Sequence, residues 1–259
     1  KQGVDGNLFE VIVVNDGTPD NSMAIVEMFA DAHTNLAIIN QKNQGLSAAR
    51  NSGIKVAKGD YIWVVDSDDS ITENSISQAL GEITRYPYVE MFCFDLNEQR
   101  GDNFTPTTLF SKPSYCKYYG EEHDGYFFCR KLPTGVSPKF LFSRSFLQKN
   151  GLQFTPGIYH EDQDFLIRCY TKAKCILPLK HIWYNYNIRE GGSITSTFKI
   201  KRFHDTLWII KNFRKLSESS ANYKETTILE EGVFSLSYGL LTSSYRSHPE
   251  YRVFLDDNK

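Results

Sequence analysis

The chain has 259 residues, 41% of them apolar and 23% charged, with a formal net charge of −2. These figures fit one large globular domain, or a domain with an appended lobe. The near-neutral balance excludes the electrostatic attraction on which nucleic-acid binders depend, and no apolar run approaches the ~20 residues of a membrane span.

Strands and helices alternate through the first part of the chain. "FEVIVVN" (9–15) reads as a strand, "DNSMAIVEMFADAH" (20–33) as a helix and "NLAIIN" (35–40) as a strand. "GLSAARNSGIKVAKG" (45–59) is a helix bounded by glycines, followed by the strand "DYIWVV" (60–65), a helix at 73–85 and the strand "YVEMFCFDL" (88–96). Near-continuous apolar strands separated by helices predict a parallel or mixed sheet covered on both faces. Residues 97–119 read as loops with a hairpin. Helices are expected at 121–131, 143–150 and 160–173, and a strand at 182–188. Two amphipathic helices, near 199–216 and 222–245, close the chain.

Cysteines and histidines add little. Cys93, Cys116, Cys129, Cys169 and Cys175 are scattered, odd in number and without a C-x-x-C pair, which reads as reduced thiols rather than disulfides or zinc ligands. No two histidines have H-x-x-x-H spacing.

The carboxylates carry more. In open α/β sheets, ligands bind outside the C-terminal ends of the strands. "VIVVNDG" delivers Asp16 to that rim, and "WVVDSDD" delivers Asp66, Asp68 and Asp69. An Asp-x-Asp pair suits a hard divalent cation, Mn²⁺ or Mg²⁺, which would also relieve the repulsion between the acids. Asp69 or Ser70 reads as the cap of the next helix. An EF-hand loop is rejected, because it needs Gly where Ile71 stands and Glu where Ser77 stands.

"VVNDGTPDNS", "NQGLSAARNSGI", "GDYIWVVDSDD" and "HEDQDF", in this order and spacing, resemble the family-2 glycosyltransferases. The resemblance implies a GT-A fold: a Rossmann-like mixed α/β sheet with helices on both faces, here with C-terminal helices added. It implies a division into a nucleotide-sugar half (1–96), an acceptor and catalytic half (97–195) and a helical extension (196–259).

It also implies roles. Asp16 would accept the uracil N3–H of a UDP-linked donor, and Arg50 would lie near the nucleotide. Asp66 and Asp68 would touch ribose and the metal-bound diphosphate. Asp162 would be the catalytic base of an inverting transfer to a hydroxyl of a glycan or lipid-linked acceptor, in polysaccharide or cell-surface glycan synthesis. Arg189, with Tyr186, Ser193 and Thr195, would belong to a loop on the diphosphate side.

The chain departs from the family pattern in three places. Asn15 replaces a first Asp, and Ser137 stands where Trp is common, with Lys139 retained. The family's first strand and helix are absent, so residues upstream of Lys1 are expected in the natural protein. Without that strand a sheet would expose two edges and much of its apolar face.

Asp164 and Glu161 read as acids that complement a helix start. The helix at 198–216 carries Lys199, Lys201, Arg202, Lys211, Arg214 and Lys215 opposite an apolar stripe of Ile200, Phe203, Leu207, Ile210 and Phe213. It reads as packed on the core, with contact to an anionic membrane surface as the second reading. A location in the cytoplasm or on the inner face of the membrane follows. The competing functions are a sugar-nucleotide pyrophosphorylase and a non-catalytic nucleotide- or glycan-binding homologue.

Overall fold

The structure, a computed structural model, describes residues 2–108, 113–131, 136–188, 198–243, 245 and 247–258. A parallel pair comes first: β1 (Val11–Asn15) and β2 (Leu36–Asn40), joined by α1 (Ser22–Ala32) and paired from Val11↔Leu36 to Asn15↔Asn40. Helix α2 (Leu46–Val56) follows, preceded by Gly45, whose φ of +87° favours glycine.

A second, larger sheet has the order β3 (Tyr61–Trp63), β7 (Phe140–Ser143), β5 (Met91–Arg100), β8 (Ile176–Asn187) and β4 (Ser70–Ile71). β5 and β8 run parallel, whereas β3–β7, β7–β5 and β8–β4 are antiparallel. β6 (Asn103–Thr107) folds back on β5 as a hairpin. Helices α3 (Ser75–Arg85), α4 (Gly125–Lys131), α5 (Arg144–Lys149) and α6 (Glu161–Lys172) surround this sheet. Helices α7 (Ile200–Ser219), α8 (Tyr223–Leu241) and α9 (Pro249–Asp257) close the chain.

β5 organises the core because it is central and buried on both faces. Side chains alternate across a strand, so Met91 and Cys93 join Phe128, Phe165, Cys169 and Tyr170 on one side. Phe92, Phe94 and Leu96 join Ala79, Leu177 and Trp183 on the other. The first cluster also takes Ile62 and Ile228, so the three expected segments share a core. A third cluster, with Phe203, Ile210, Phe213, Val233 and Tyr251, binds the C-terminal helices together.

The structure corrects several expected elements. "FLFS" is the strand β7, too short and too near Pro138 to read as one. β8 begins at Ile176, six residues before the expected start, despite Pro178. There its neighbours are β5 and the 120–123 segment, whose Gly120 N–H donates to the Pro178 carbonyl (2.8 Å). Among the described residues three helices, not two, follow β8: α9 opens with Pro249 in its first turn and buries Tyr251 and Phe254. β1 and β2 form a sheet of their own, and α1 exposes Ile25, Met28 and Phe29. No described helix is long and apolar enough to cross a membrane.

Candidate active site

Residues 66–69 form a turn in which the Asp69 N–H donates to the Asp66 carbonyl (3.1 Å). This turn separates three neighbouring carboxylates. Asp66 accepts from Arg50 Nη2 at 2.7 Å, and Asp68 is exposed. Asp69 accepts from the Tyr184 hydroxyl (2.6 Å) and the Asn187 N–H (2.8 Å), both on β8. The Tyr184 hydroxyl in turn accepts from the Asp66 N–H at 3.1 Å. Asp69 therefore caps no helix, contrary to expectation. It staples the turn to the sheet, and Asn74 precedes α3 instead. Burial pushes the Asp69 carboxyl above its ordinary range against the pull of these donors.

Arg50 is the hub. Its side chain is only 7% exposed, and Nη1 donates to Asp162 Oδ1 at 2.7 Å while Nη2 holds Asp66. Glu161 lies 3.4 Å from Nη1. The guanidinium stands over the Phe154 ring, 5.0 Å from its centroid. Burial disfavours the charge, but Asp162 and Asp66 outweigh it and hold Arg50 above its ordinary value.

The rest of "ARNS" is equally engaged. Asn51 donates to the Phe154 carbonyl (2.8 Å) and accepts the Phe154 N–H (2.9 Å). Ser52 donates to Gln41 Oε1 at 2.6 Å.

Gln41 leads to Asp16. Asp16 Oδ1 accepts from Gln41 Nε2 (2.7 Å) and the Gln44 N–H (2.9 Å), and Oδ2 accepts from the Gly45 N–H (2.7 Å). Burial pushes the Asp16 carboxyl up, but these donors outweigh it and hold it below the usual carboxylate value. Asp16 is thus kept as an acceptor at the mouth of the 41–45 turn.

Asp162 reaches Arg50 from the first turn of α6. His160 precedes that turn in the left-handed region (φ 63°). Asp162 Oδ1 also accepts from Ser137 Oγ at 2.6 Å. Burial raises the Asp162 carboxyl above its ordinary range, against the lowering pull of Arg50 and Ser137. Glu161 is raised too, by burial and then by Asp162. Asp164, two residues on, is fully buried among other partners: Thr155 Oγ1 (2.7 Å) and Arg168 Nη2 (2.6 Å). The loop before α6 is held by α7, where Lys201 donates to the Gly157 carbonyl (2.6 Å) and Asp205 accepts the Tyr159 N–H (2.9 Å).

Of the expected site residues, Arg50, Asp66 and Asp162 meet in one cluster. Asp16 joins it through Gln41 and α2, and Asp68 sits on the adjoining turn. Arg189, Ser193 and Thr195 lie outside the described residues. Lys139 is buried, its ammonium lowered by burial and partly restored by Asp95. Residues that the sequence did not single out include Gln41, Asn51, Ser52, Phe154 and Tyr184. Asn51 and Ser52 fall within the quoted "NQGLSAARNSGI" stretch without a role of their own, and nothing local marks Gln41, Phe154 or Tyr184.

Among the described residues, no three His, Cys, Asp or Glu side chains converge as a metal cage. Two carboxylates without histidine or thiolate still fit a hard cation that takes its other ligands from phosphate and water.

The model of glycosyl transferase family 2 matches residues 1–151, more than half of the chain. The chain belongs to glycosyl transferase family 2. The glycosyltransferase EpsJ of Bacillus subtilis is 30% identical over 68% of this chain and 52% of its own length. The cholesterol galactosyltransferase of Borreliella burgdorferi is 25% identical over 87% of this chain and 61% of its own. The chain thus spans roughly half to three fifths of these two relatives. S. aureus TarS in complex with UDP-GlcNAc superimposes with a TM-score of 0.74 at 21% identity, over 96% of this chain and 71% of that one. The chain shares the GT-A architecture of that structure, with a mixed central sheet and helices on both of its faces.

Proposed function

We propose that this chain is the catalytic part of an inverting glycosyltransferase that moves a sugar from a UDP-linked donor to an acceptor hydroxyl. The observation that carries the reading is the Arg50 bridge, which joins the strand-end acid Asp66 to Asp162. One side of that bridge suits a nucleotide diphosphate, and the other suits a base. Asp16, kept ionised, suits the N3–H of uracil. The likeness to TarS, which holds UDP-GlcNAc, supports a UDP-linked donor.

In this mechanism the acceptor oxygen attacks the anomeric carbon opposite the leaving group. Its proton passes to the Asp162 carboxylate as the bond from C1 to the phosphate oxygen breaks and the nucleoside diphosphate departs. A carboxyl raised above its ordinary value is a stronger base while it remains ionised. Arg50 holds that base and the donor-side acid in register, so donor and acceptor meet in a fixed geometry. A divalent cation, Mn²⁺ or Mg²⁺, held by Asp66 and Asp68 would supply positive charge against the leaving diphosphate. Arg189 is proposed for the same side.

The acceptor is proposed as a glycan or lipid-linked hydroxyl, in polysaccharide or cell-surface glycan synthesis. The outer face of α7 carries exposed Trp208, Lys211 and Lys215 at helical spacing, which suits peripheral contact with an anionic membrane surface. The inner stripe is packed: Phe203, Ile210 and Phe213 are buried.

The test is UDP release from UDP-glucose and UDP-N-acetylglucosamine, with Mn²⁺ and candidate glycan and lipid acceptors. Sugar should appear on the acceptor, and Asp162→Asn should lower transfer by about 10²–10⁴-fold. Pyrophosphate exchange in place of transfer would identify a pyrophosphorylase. Tight UDP binding without turnover would identify a binding homologue.

A further inference from the structure

We infer that Ser137 is the positioning residue of Asp162: its hydroxyl and Arg50 together hold Oδ1, which presents Oδ2 as the oxygen that takes the acceptor's proton. The inference rests on the reading of Asp162 as the base.

Two donors converge on one atom. Ser137 Oγ lies 2.6 Å from Asp162 Oδ1, and Arg50 Nη1 lies 2.7 Å from the same oxygen. A carboxylate oxygen has two lone-pair sites. Two short bonds fill both on Oδ1, so that oxygen cannot also receive a proton from a substrate hydroxyl. The two donors reach it from elements far apart in sequence, α2 and the turn before β7, and so fix the carboxylate plane as well as its position.

The turn that carries Ser137 is built to stay in place. Ser137, Pro138 and Lys139 form a fully buried 3-10 turn. The Trp63 indole N–H donates to the Pro138 carbonyl at 2.9 Å, which ties the turn to the strand leading into Asp66. Lys139 is buried beside Asp95, whose carboxylate accepts the Tyr119 hydroxyl at 2.7 Å. Ser137 is therefore fixed from both sides and is wholly inaccessible to solvent. A buried hydroxyl in a rigid turn, aimed at an acid 25 residues away, differs from a serine that merely fills space. At this position a tryptophan could not make that bond to the carboxylate oxygen in the same way, since it is larger and offers only its indole N–H.

The hydroxyl also affects the charge of the base. A hydrogen bond donated to a carboxylate favours its ionised form and lowers its pKa. The charged groups facing Asp162 are Arg50 on α2, Asp66 after β3 and Glu161 on its own helix. Arg50 favours ionisation, whereas the two acids and burial oppose it. The Ser137 backbone N–H also favours the ionised form and would remain after any side-chain change.

The experiment titrates the Asp162 carboxyl carbon by ¹³C NMR in the full chain, its signal identified by its loss in Asp162→Asn. In Ser137→Ala the midpoint should move up by about 0.5–1 pH unit, the worth of one hydrogen bond. Ser137→Cys, of similar shape with a weaker donor, should fall between. An unchanged midpoint in Ser137→Ala overturns the inference, whatever happens to activity. In the transfer assay, Ser137→Ala should lower kcat about tenfold with the donor KM unchanged, and the acidic limb of kcat should move to higher pH with the NMR midpoint. A loss of kcat with no movement of either midpoint assigns Ser137 a packing role and overturns the inference as well. Full transfer by Asp162→Asn would instead sink the assignment of the base, a separate outcome.

Discussion

Arg50→Gln tests whether one buried cation holds the site together. The substitution removes the charge and keeps much of the volume. It leaves Asp66, Asp162 and Glu161 near one another with no cation bonded to all three. Breaking a buried ion pair by removing one partner costs about 3–5 kcal/mol. The low end applies here, because the three carboxylate side chains stay 27%, 19% and 17% exposed and water takes up part of the charge. A loss of about 3 kcal/mol in a chain of this size lowers Tm by about 6–12 °C.

The loss should also depend on pH. Burial raises Asp162 and Glu161 above their unfolded values, and losing Arg50 raises them further. An acid raised on folding binds its proton more tightly in the native state. Its penalty is therefore absent below the unfolded pKa and grows as pH climbs toward the folded one. The gap between variant and wild type should then be widest at pH 7 and shrink toward pH 5. Thermal unfolding by circular dichroism at the two pH values measures it. A variant within 1 °C of wild type at pH 7, or a gap that widens on acidification, refutes the reasoning.

Three further outcomes follow from the same geometry. UDP should raise the wild-type Tm more than CDP, which lacks the N3–H, and Asp16→Asn should abolish the difference; equal shifts in the wild type would remove Asp16 from nucleobase recognition. Asp68→Asn should weaken the dependence of UDP binding on Mn²⁺ and leave Tm without ligand near wild type, because Asp68 is exposed; unchanged metal dependence in calorimetric titrations would place the metal elsewhere. Asp164→Asn should cost about 2–3 kcal/mol of stability, since it weakens the buried bonds to Thr155 and Arg168, while kcat per folded molecule stays near wild type. A variant that folds normally yet fails to transfer would make Asp164 the base.

Much of this architecture was legible in the sequence. The alternation of "VIVVN", "LAIIN" and "YIWVV" with helical stretches identified the first strands, and "YVEMFCFDL" read as buried on both faces because it is. Asp16 and Asp66, expected on one rim, follow strands of separate sheets, and Gln41 with Ser52 and Arg50 of α2 links them instead. What stayed hidden depends on tertiary placement. Nothing local distinguishes Asp69 as a staple to β8 from Asp69 as a helix cap; Tyr184, 115 residues away, decides it. Ser137 drew notice only as a departure from a pattern, and its bond to Asp162 needs the fold. Strand β7 escaped because four residues carry too little periodicity.

The contacts that define the site also have a kinetic meaning. Arg50 and Asp162 are 112 residues apart, Asn51 and Phe154 are 103, and Asp66 and Tyr184 are 118. Loops that long close late, because their entropy must be spent before any contact rewards it. The hairpin β5–β6 and the helical pair α7–α8 can form from neighbours in sequence. The charge cluster cannot, since it needs α2, the 66–69 turn, the 137–139 turn and α6 already in place. During refolding, secondary structure should return first and ligand binding last, with an interval in which the chain is largely folded but carries uncompensated acids in a half-built cleft.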